Sequence, residues 1–157
     1  MSIISIKVLG LKPHLSSIQI LPPEDIFASA STLFTLSSVL SKMAGDLRHL
    51  ARSEIGEIAE GLRPGQVGSS TMPQKRNPIS CELMLSASKT VRQHAGLALD
   101  AMVQDFERAT GPWHIEWSAI PESFILTAGA LKQAKFMLSG LEVDTKRMLK
   151  NLDLTGG

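Results

Sequence analysis

From Glu24 onward, apolar residues recur every three or four positions along most of this chain. Phe27, Ala30, Leu33 or Phe34, Ser37, Leu40 or Ser41, Ala44, Leu47 and Ala51 keep that spacing, which puts them on one face of a helix. Pro22, Pro23 and Glu24 suit its start, because the first-turn N–H groups of a helix lack internal partners and proline gives up nothing there. One long helix is expected, running on towards Ile58. The stretch Gly61 to Asn77 then carries three glycines and two prolines and has no helical period. Its seventeen residues exceed an ordinary connection, which favours a functional, mobile loop. Asn77 is a good N-cap and Pro78 a good first helical residue.

A second helix is expected from Pro78 to Phe106, with Ile79, Leu83, Ala87, Val91, Ala95, Ala98, Met102 and Phe106 as its buried stripe. Its small residues allow a neighbouring helix to come close. Gly111 and Pro112 interrupt the pattern. It resumes from Trp113 to Leu141 through Trp117, Ile120, Phe124, Ala128, Leu131, Ala134 and Leu138. Pro121 either kinks this helix or marks its start. A short helix follows Asp144 and ends near Asn151. The pattern predicts an all-α protein, with long antiparallel helices in a bundle and a long mobile loop between the first two.

Residues 1–23 read as an irregular arm and residues 24–157 as part of a helical-bundle domain. In the arm, Ile4, Ile6 and Val8 alternate as in a short strand, before Pro13, Pro22 and Pro23 break the chain. The apolar run Ile3 to Leu11 is interrupted by Lys7 and Gly10 and is too short to span a bilayer. It has neither the leading basic region nor the small-residue cleavage site of a signal peptide. The final Leu154-Thr155-Gly156-Gly157 stops abruptly after an apolar segment, as in a chain that once continued.

Composition narrows the function classes. With 157 residues, 43% hydrophobic and 20% charged, the chain fits one soluble globular domain. A net charge of +1 offers no basic surface for nucleic acid, and no membrane partner is expected. Cys81 is the sole cysteine, which rules out an internal disulfide framework and fits a reducing cytoplasm. His14, His49, His94 and His114 show no metal-ligand spacing, so no metal or organic cofactor is expected.

The candidate chemistry lies in Gly68-Ser69-Ser70-Thr71-Met72-Pro73-Gln74-Lys75-Arg76-Asn77-Pro78, with Glu82 four residues on. Between Glu60 and Glu82 the only charges are Arg63, Lys75 and Arg76, which together would attract a polyanion and favour developing negative charge. A serine acts as a base only if cations or backbone donors stabilise its alkoxide. Lys75 and Asn77 can grip one carboxylate by charge and hydrogen bond, and Gly68 lets the backbone approach a ligand. A basic, flexible surface loop with a capping Asn accounts for the same residues, and spacing does not separate the two readings.

This segment resembles the signature of the fumarase/aspartase superfamily, Gly-Ser-Ser-x-Met-Pro-x-Lys-x-Asn with a downstream Glu, at every fixed position. The resemblance covers Glu24 to Gly157. It implies a helical protein whose long central helices form a shared bundle in a homotetramer, with each active site assembled from three chains. It implies that Ser69 is the catalytic base, that Lys75 and Asn77 bind substrate carboxylate, and that Ser70, Thr71 and Met72 line the site. Arg76 and Glu82 are possible supporting residues, with Glu82 anchoring the loop by pairing with Arg76 or Lys75.

Asp105-Phe106-Glu107-Arg108-Ala109-Thr110-Gly111-Pro112-Trp113-His114-Ile115-Glu116-Trp117 resembles the equivalent segment of 3-carboxy-cis,cis-muconate cycloisomerases, in its Glu-Arg, Gly-Pro-Trp and Glu-Trp elements. Those enzymes close a lactone on a small polycarboxylate during aromatic catabolism. The alternative is an adenylosuccinate lyase-like or other β-elimination enzyme, which shares the Lys-Arg-Asn-Pro form of the loop. Family members run to about three times this length and carry a catalytic-site His N-terminal to this region. The resemblance therefore implies a central fragment with little or no activity alone.

Two further classes stand beside the enzyme. One is a non-catalytic helical module that only self-associates; the other is a phosphate-binding loop, weakened by the lack of Walker spacing and of a preceding strand. Trp113 and Trp117, one helical turn apart, read as packing residues, and His114 as a boundary residue. Cys81 reads as a buried structural thiol, although a helix N-terminus and Arg76 can lower a thiol's pKa. Arg92, Glu107 and Arg108 read as salt-bridged helix surface.

Overall fold

The structure is a computed structural model that describes residues 8–10, 12, 21–62, 65, 69, 71–72, 75–106 and 110–156. The described elements, in chain order, are helix α1 (Pro23–Leu50), strand β1 (Ile58–Ala59), helix α2 (Ile79–Ala101), helix α3 (Pro112–Ser139), strand β2 (Glu142–Val143) and helix α4 (Thr145–Thr155). The fold is all-α, as the periodicity predicts. The mobility expected between the first two helices, and Ile4 and Ile6 of the expected strand, fall largely or wholly outside the described residues. Val8 is helical rather than extended.

Helix α1 starts as its sequence suggests, with Pro23 in the first turn, Glu24 and Asp25 near the positive end of the helix dipole, and Arg48 and His49 in the last turn. It stops at Leu50, well before Ile58. The Ala51 N–H still bonds to Leu47 O, but Gly56 takes φ +62°, which turns the chain and lets Glu57 N–H reach Leu50 O at 3.1 Å. Ile58 and Ala59 are thereby released to pair antiparallel with Val143 and Glu142. By length and composition α1 could cross a membrane. Its buried residues Ala30, Phe34, Ser37, Leu40 and Ala44 instead pack on α2 and α3.

The core lies where these three helices meet. Leu40 and Ala44 from late α1 meet Cys81 and Met84 from early α2 and Ala130, Ala134 and Met137 from late α3. Ala30 and Phe34 from early α1 meet Val91 and Ala98 further along α2. Helix α2 is therefore antiparallel to both neighbours. Polar pairs cross the same seams: Ser37 Oγ lies 3.1 Å from Thr127 Oγ1. His94 Nδ1 lies 3.2 Å from Ser123 Oγ, while its Nε2 lies 3.2 Å from Glu122 Oε2.

The buried faces of α2 and α3 differ from the expected stripes. On α2 they comprise Ser80, Cys81, Met84, Ser88, Val91, His94, Ala98 and Ala101, while Leu83 is half exposed. On α3 they comprise Ala119, Ser123, Thr127, Ala130, Ala134 and Met137; Trp117, Phe124, Leu131 and Leu138 stand exposed. The helices meet through small and hydroxyl-bearing residues, which allow close approach. That displaces the bulky apolar stripe of α3 to the outside.

The ends of α2 and α3 also differ from those expected. Helix α2 closes at Ala101 rather than Phe106, which has φ +50° and is 96% exposed. Helix α3 runs from Pro112 to Ser139 straight through Pro121. Its first turn is held by His114, whose Nδ1 accepts from Gly111 N–H at 3.2 Å. The His114 and Trp117 rings meet edge to face at 4.4 Å, and Trp113 meets Trp117 at 5.2 Å. These rings pack on one another rather than in the core. Helix α4 starts at an Asp144 cap that accepts from Arg147 N–H and extends past Asn151 to Thr155. Arg147 and Asn151 tie it to the Ile55 carbonyl, each at 2.9 Å.

Candidate active site

The start of α2 positions the signature loop. Asn77 does not cap this helix: Pro78 occupies the N-cap position, and no side chain there accepts a hydrogen bond. Proline has neither a donor nor a side-chain acceptor to offer the open N–H groups. The acceptor comes from the other side of the loop. Glu60, one residue beyond β1, accepts from Ser80 N–H at 3.0 Å through Oε2 and from Cys81 N–H at 2.9 Å through Oε1. A carboxylate at a helix N-terminus also meets the positive end of the dipole. Burial pushes the Cys81 thiol up to about 12, with Glu60 adding in the same direction and Arg48 opposing. It is a buried thiol, not an activated one.

Arg76 forms the second anchor. Its Nη1 and Nη2 donate to Glu142 Oε2 and Oε1 at 2.6 and 2.8 Å, and Nη2 also reaches Glu60 O at 2.6 Å. This fork-to-fork geometry is the strongest form of ion pair available to a guanidinium. Arg76, through its hydrogen bond, holds the Glu142 carboxyl below the usual carboxylate range. The expected trio of positive charges is thus reduced. Arg63 lies outside the described residues, and Arg76 is neutralised by Glu142 instead of pairing with Glu82.

Lys75, Asn77 and Glu82 do come together. With Arg76 and Pro78 they line a cleft of about 400 Å3, which Arg48, Arg52 and Glu54 from the end of α1 and the turn after it also line. Ser69, Thr71 and Met72 do not line it. Ser70, Gly68, Pro73 and Gln74 lie outside the described residues, as do Glu107 and Arg108. Within the loop, Ser69 Oγ accepts from Thr71 N–H at 3.3 Å and from Met72 N–H at 3.2 Å. Two backbone donors aimed at one hydroxyl oxygen favour its alkoxide. Among the described residues, no three of His, Cys, Asp and Glu converge as a metal site would need.

Glu60, Glu142 and Arg48 were not evident as site residues in the sequence. Glu142 carries no local signal, being 66 residues from its partner. Glu60 is the last acid before the loop, and Arg48 sits one turn before Arg52, hints that gain meaning only once β1 and the end of α1 flank the cleft.

A bundle of long helices with Gly-Ser-Ser-Thr-Met-Pro-Gln-Lys-Arg-Asn between the first two is the architecture of the fumarase/aspartase superfamily. A family model described as Lyase matches residues 3–92, more than half of the chain, and the chain belongs to that family. The match enters the N-terminal arm, earlier than the Glu24 start expected. The chain is 46% identical over 122 residues to the nitrosuccinate lyase of Streptomyces davaonensis, covering 78% of this chain and 26% of that protein. It is 42% identical over 128 residues to a 3-carboxy-cis,cis-muconate cycloisomerase of Pseudomonas putida, covering 82% and 30%. The solved 3-carboxy-cis,cis-muconate lactonizing enzyme from Pseudomonas putida matches with a TM-score of 0.85 at 37% identity, over 96% of this chain and 33% of that one. The chain therefore spans no more than a third of the length of these relatives.

Proposed function

We propose that this chain supplies one wall of the active site of a cycloisomerase-like enzyme that transfers a proton at the carbon beside a carboxylate. The observation that carries this reading is the pair of backbone N–H groups on Ser69 Oγ, in the loop that delivers Lys75 and Asn77 to a cleft. Lys75 and Asn77 hold one carboxylate and stabilise the charge that gathers on it in the transition state. In the lactone-closing direction, a substrate carboxylate oxygen bonds to one carbon of the double bond. Ser69 delivers its proton to the other carbon, leaving the alkoxide held by Thr71 and Met72. In reverse, that alkoxide removes the proton as the carbon–oxygen bond breaks. Ser70, Thr71 and Met72 are assigned to the wall around the reacting carbon.

Residues 24–157 serve in this reading as part of a central domain, and the 157-residue chain alone has little activity. The enzyme works on a small polycarboxylate in aromatic catabolism, in the cytoplasm, as a homotetramer. The exposed stripe of Phe124, Leu131 and Leu138 on α3 supports self-association. A β-elimination lyase on a related acid is the second reading, supported by the likeness to the nitrosuccinate lyase.

A chimera tests the proposal. Residues 24–156 replace the matching segment of the Pseudomonas putida cycloisomerase, and loss of 3-carboxymuconate ultraviolet absorbance is followed. The chimera is expected to be active and to lose about a hundredfold or more in kcat with Ser69→Ala, the range for removing a general base. An active chimera indifferent to Ser69→Ala would overturn the assignment of the base.

A further inference from the structure

We propose that Arg48, at the end of α1, binds a second anionic group of the substrate and selects for acids with two or more carboxylates. This rests on the reading of Lys75 and Asn77 as the grip on the first carboxylate. The cleft of about 400 Å3 is large enough for a small polycarboxylate. Its two walls come from separate elements: the loop and α2 contribute Lys75, Arg76, Asn77 and Glu82, while α1 and the turn after it contribute Arg48, Arg52 and Glu54.

The charges on these walls sort by partner. Arg76 is committed to Glu142. Arg52 has Glu54 at 3.6 Å, both well exposed. Among the described residues, no carboxylate pairs with Arg48 or Lys75. Of the cleft's two carboxylates, Glu54 has Arg52 beside it, which leaves Glu82 with the two cations Arg48 and Lys75, one from each element. Arg48 lies one helical turn beyond Ala44, which packs in the same cluster as Cys81 and Met84 at the start of α2, so the α1–α2 contact fixes the element that carries it beside the loop. A guanidinium there offers a planar fork to a carboxylate, which an ammonium does not. A monocarboxylate satisfies Lys75 and Asn77 and leaves Arg48 unused; a di- or tricarboxylate engages both walls.

Tricarballylate, a saturated tricarboxylate with no double bond to react, and butyrate are titrated into the 157-residue chain by calorimetry and by amide NMR shifts. Wild type is expected to bind tricarballylate more tightly, with shifts at residues of both walls. Arg48→Gln is expected to weaken tricarballylate about tenfold, the usual effect of losing one charge-assisted hydrogen bond, and to leave butyrate unchanged. Lys75→Gln is expected to weaken both. If Arg48→Gln binds tricarballylate as wild type does while Lys75→Gln does not, the second subsite falls and the carboxylate grip stands. If neither variant changes binding, or wild type shows no shifts at the cleft, both fall. Arg48 also complements the C-terminal dipole of α1, and loss of that role alone would lower the unfolding midpoint without changing the ratio of the two affinities. Should Arg48→Gln not fold, Arg48→Lys, with the charge but not the fork, is expected to bind tricarballylate with intermediate affinity; wild-type affinity would count against the subsite.

Discussion

Arg76 and Glu142 face each other fork to fork, at 2.6 and 2.8 Å, and join the signature loop to the strand that follows α3. Because Arg76 lowers the Glu142 pKa, the contribution of the pair is present above the unfolded carboxylate value and is lost as pH falls through the lower folded value. Wild type should therefore exceed Glu142→Gln in urea stability at neutral pH, with the difference shrinking below about pH 4. A gap that stays constant down to strongly acid pH would contradict the pairing.

Glu60 closes the same loop from its other end by accepting from Ser80 and Cys81 N–H. Glu60→Ala leaves two helix-start donors without a partner and should cost about 1–2 kcal/mol, as cap removal generally does. Glu60→Gln keeps one side-chain oxygen and should lose less. Equilibrium urea unfolding followed by circular dichroism reads both; equal losses would mean that the carboxylate's second oxygen contributes nothing.

Cys81 is buried and its thiol is raised to about 12, so native protein should resist Ellman's reagent at neutral pH and react only as it unfolds. The sign of the linkage is opposite to that of Glu142. The raised thiol favours the fold below its unfolded value, and this contribution drains away as pH climbs from about 9 towards about 12. Rapid labelling of folded protein would show that the helix start opens independently.

Where the two strands are joined to the rest of the chain, Gly61 and Gly140 touch through their backbones. A Cβ on Gly61 would stand 2.5 Å from the Gly140 carbonyl oxygen. Neither backbone has a flexible end that can yield, so Gly61→Ala should cost about 2–3 kcal/mol. Full retention of the thermal midpoint would show that the ribbon shifts freely.

Ser88 makes the opposite case, because its Oγ is buried with no hydrogen-bond partner among the described residues. Ser88→Ala removes an unsatisfied group and should be neutral or stabilise by about 1 kcal/mol. A loss of similar size, measured by denaturation, would point to a partner for this hydroxyl.

The helices were legible because a period near 3.6 survives along each of them, and the loop was legible because its residues stand together in sequence. The packing faces were harder to read. Trp117, Phe124, Leu131 and Leu138 recur every seven residues and form the stronger apolar stripe of α3, yet the face the helix buries is Ala119, Ser123, Thr127 and Ala130. Hydrophobicity ranks side chains by size, whereas close helix contact favours small ones. Capping rules are local and point to Asn77 for α2, whereas Glu60 reaches the helix start only through β1. The partner of Arg76 differs for the same reason: Glu82 is near in sequence, while Glu142 is near in space. His94, which has no ligand spacing in the sequence, lies between Ser123 and Glu122 at the α2–α3 seam.

The short ribbon of β1 and β2 has a consequence for the order in which the protein can be made. Val143 and Glu142 are synthesised after all three long helices, and until they emerge from the ribosome Ile58 has no strand to pair with and Arg76 has no Glu142. The loop that carries Ser69, Lys75 and Asn77 is translated long before its tether. A chain interrupted within α3 lacks that tether, and its signature loop is held only at the Glu60 end.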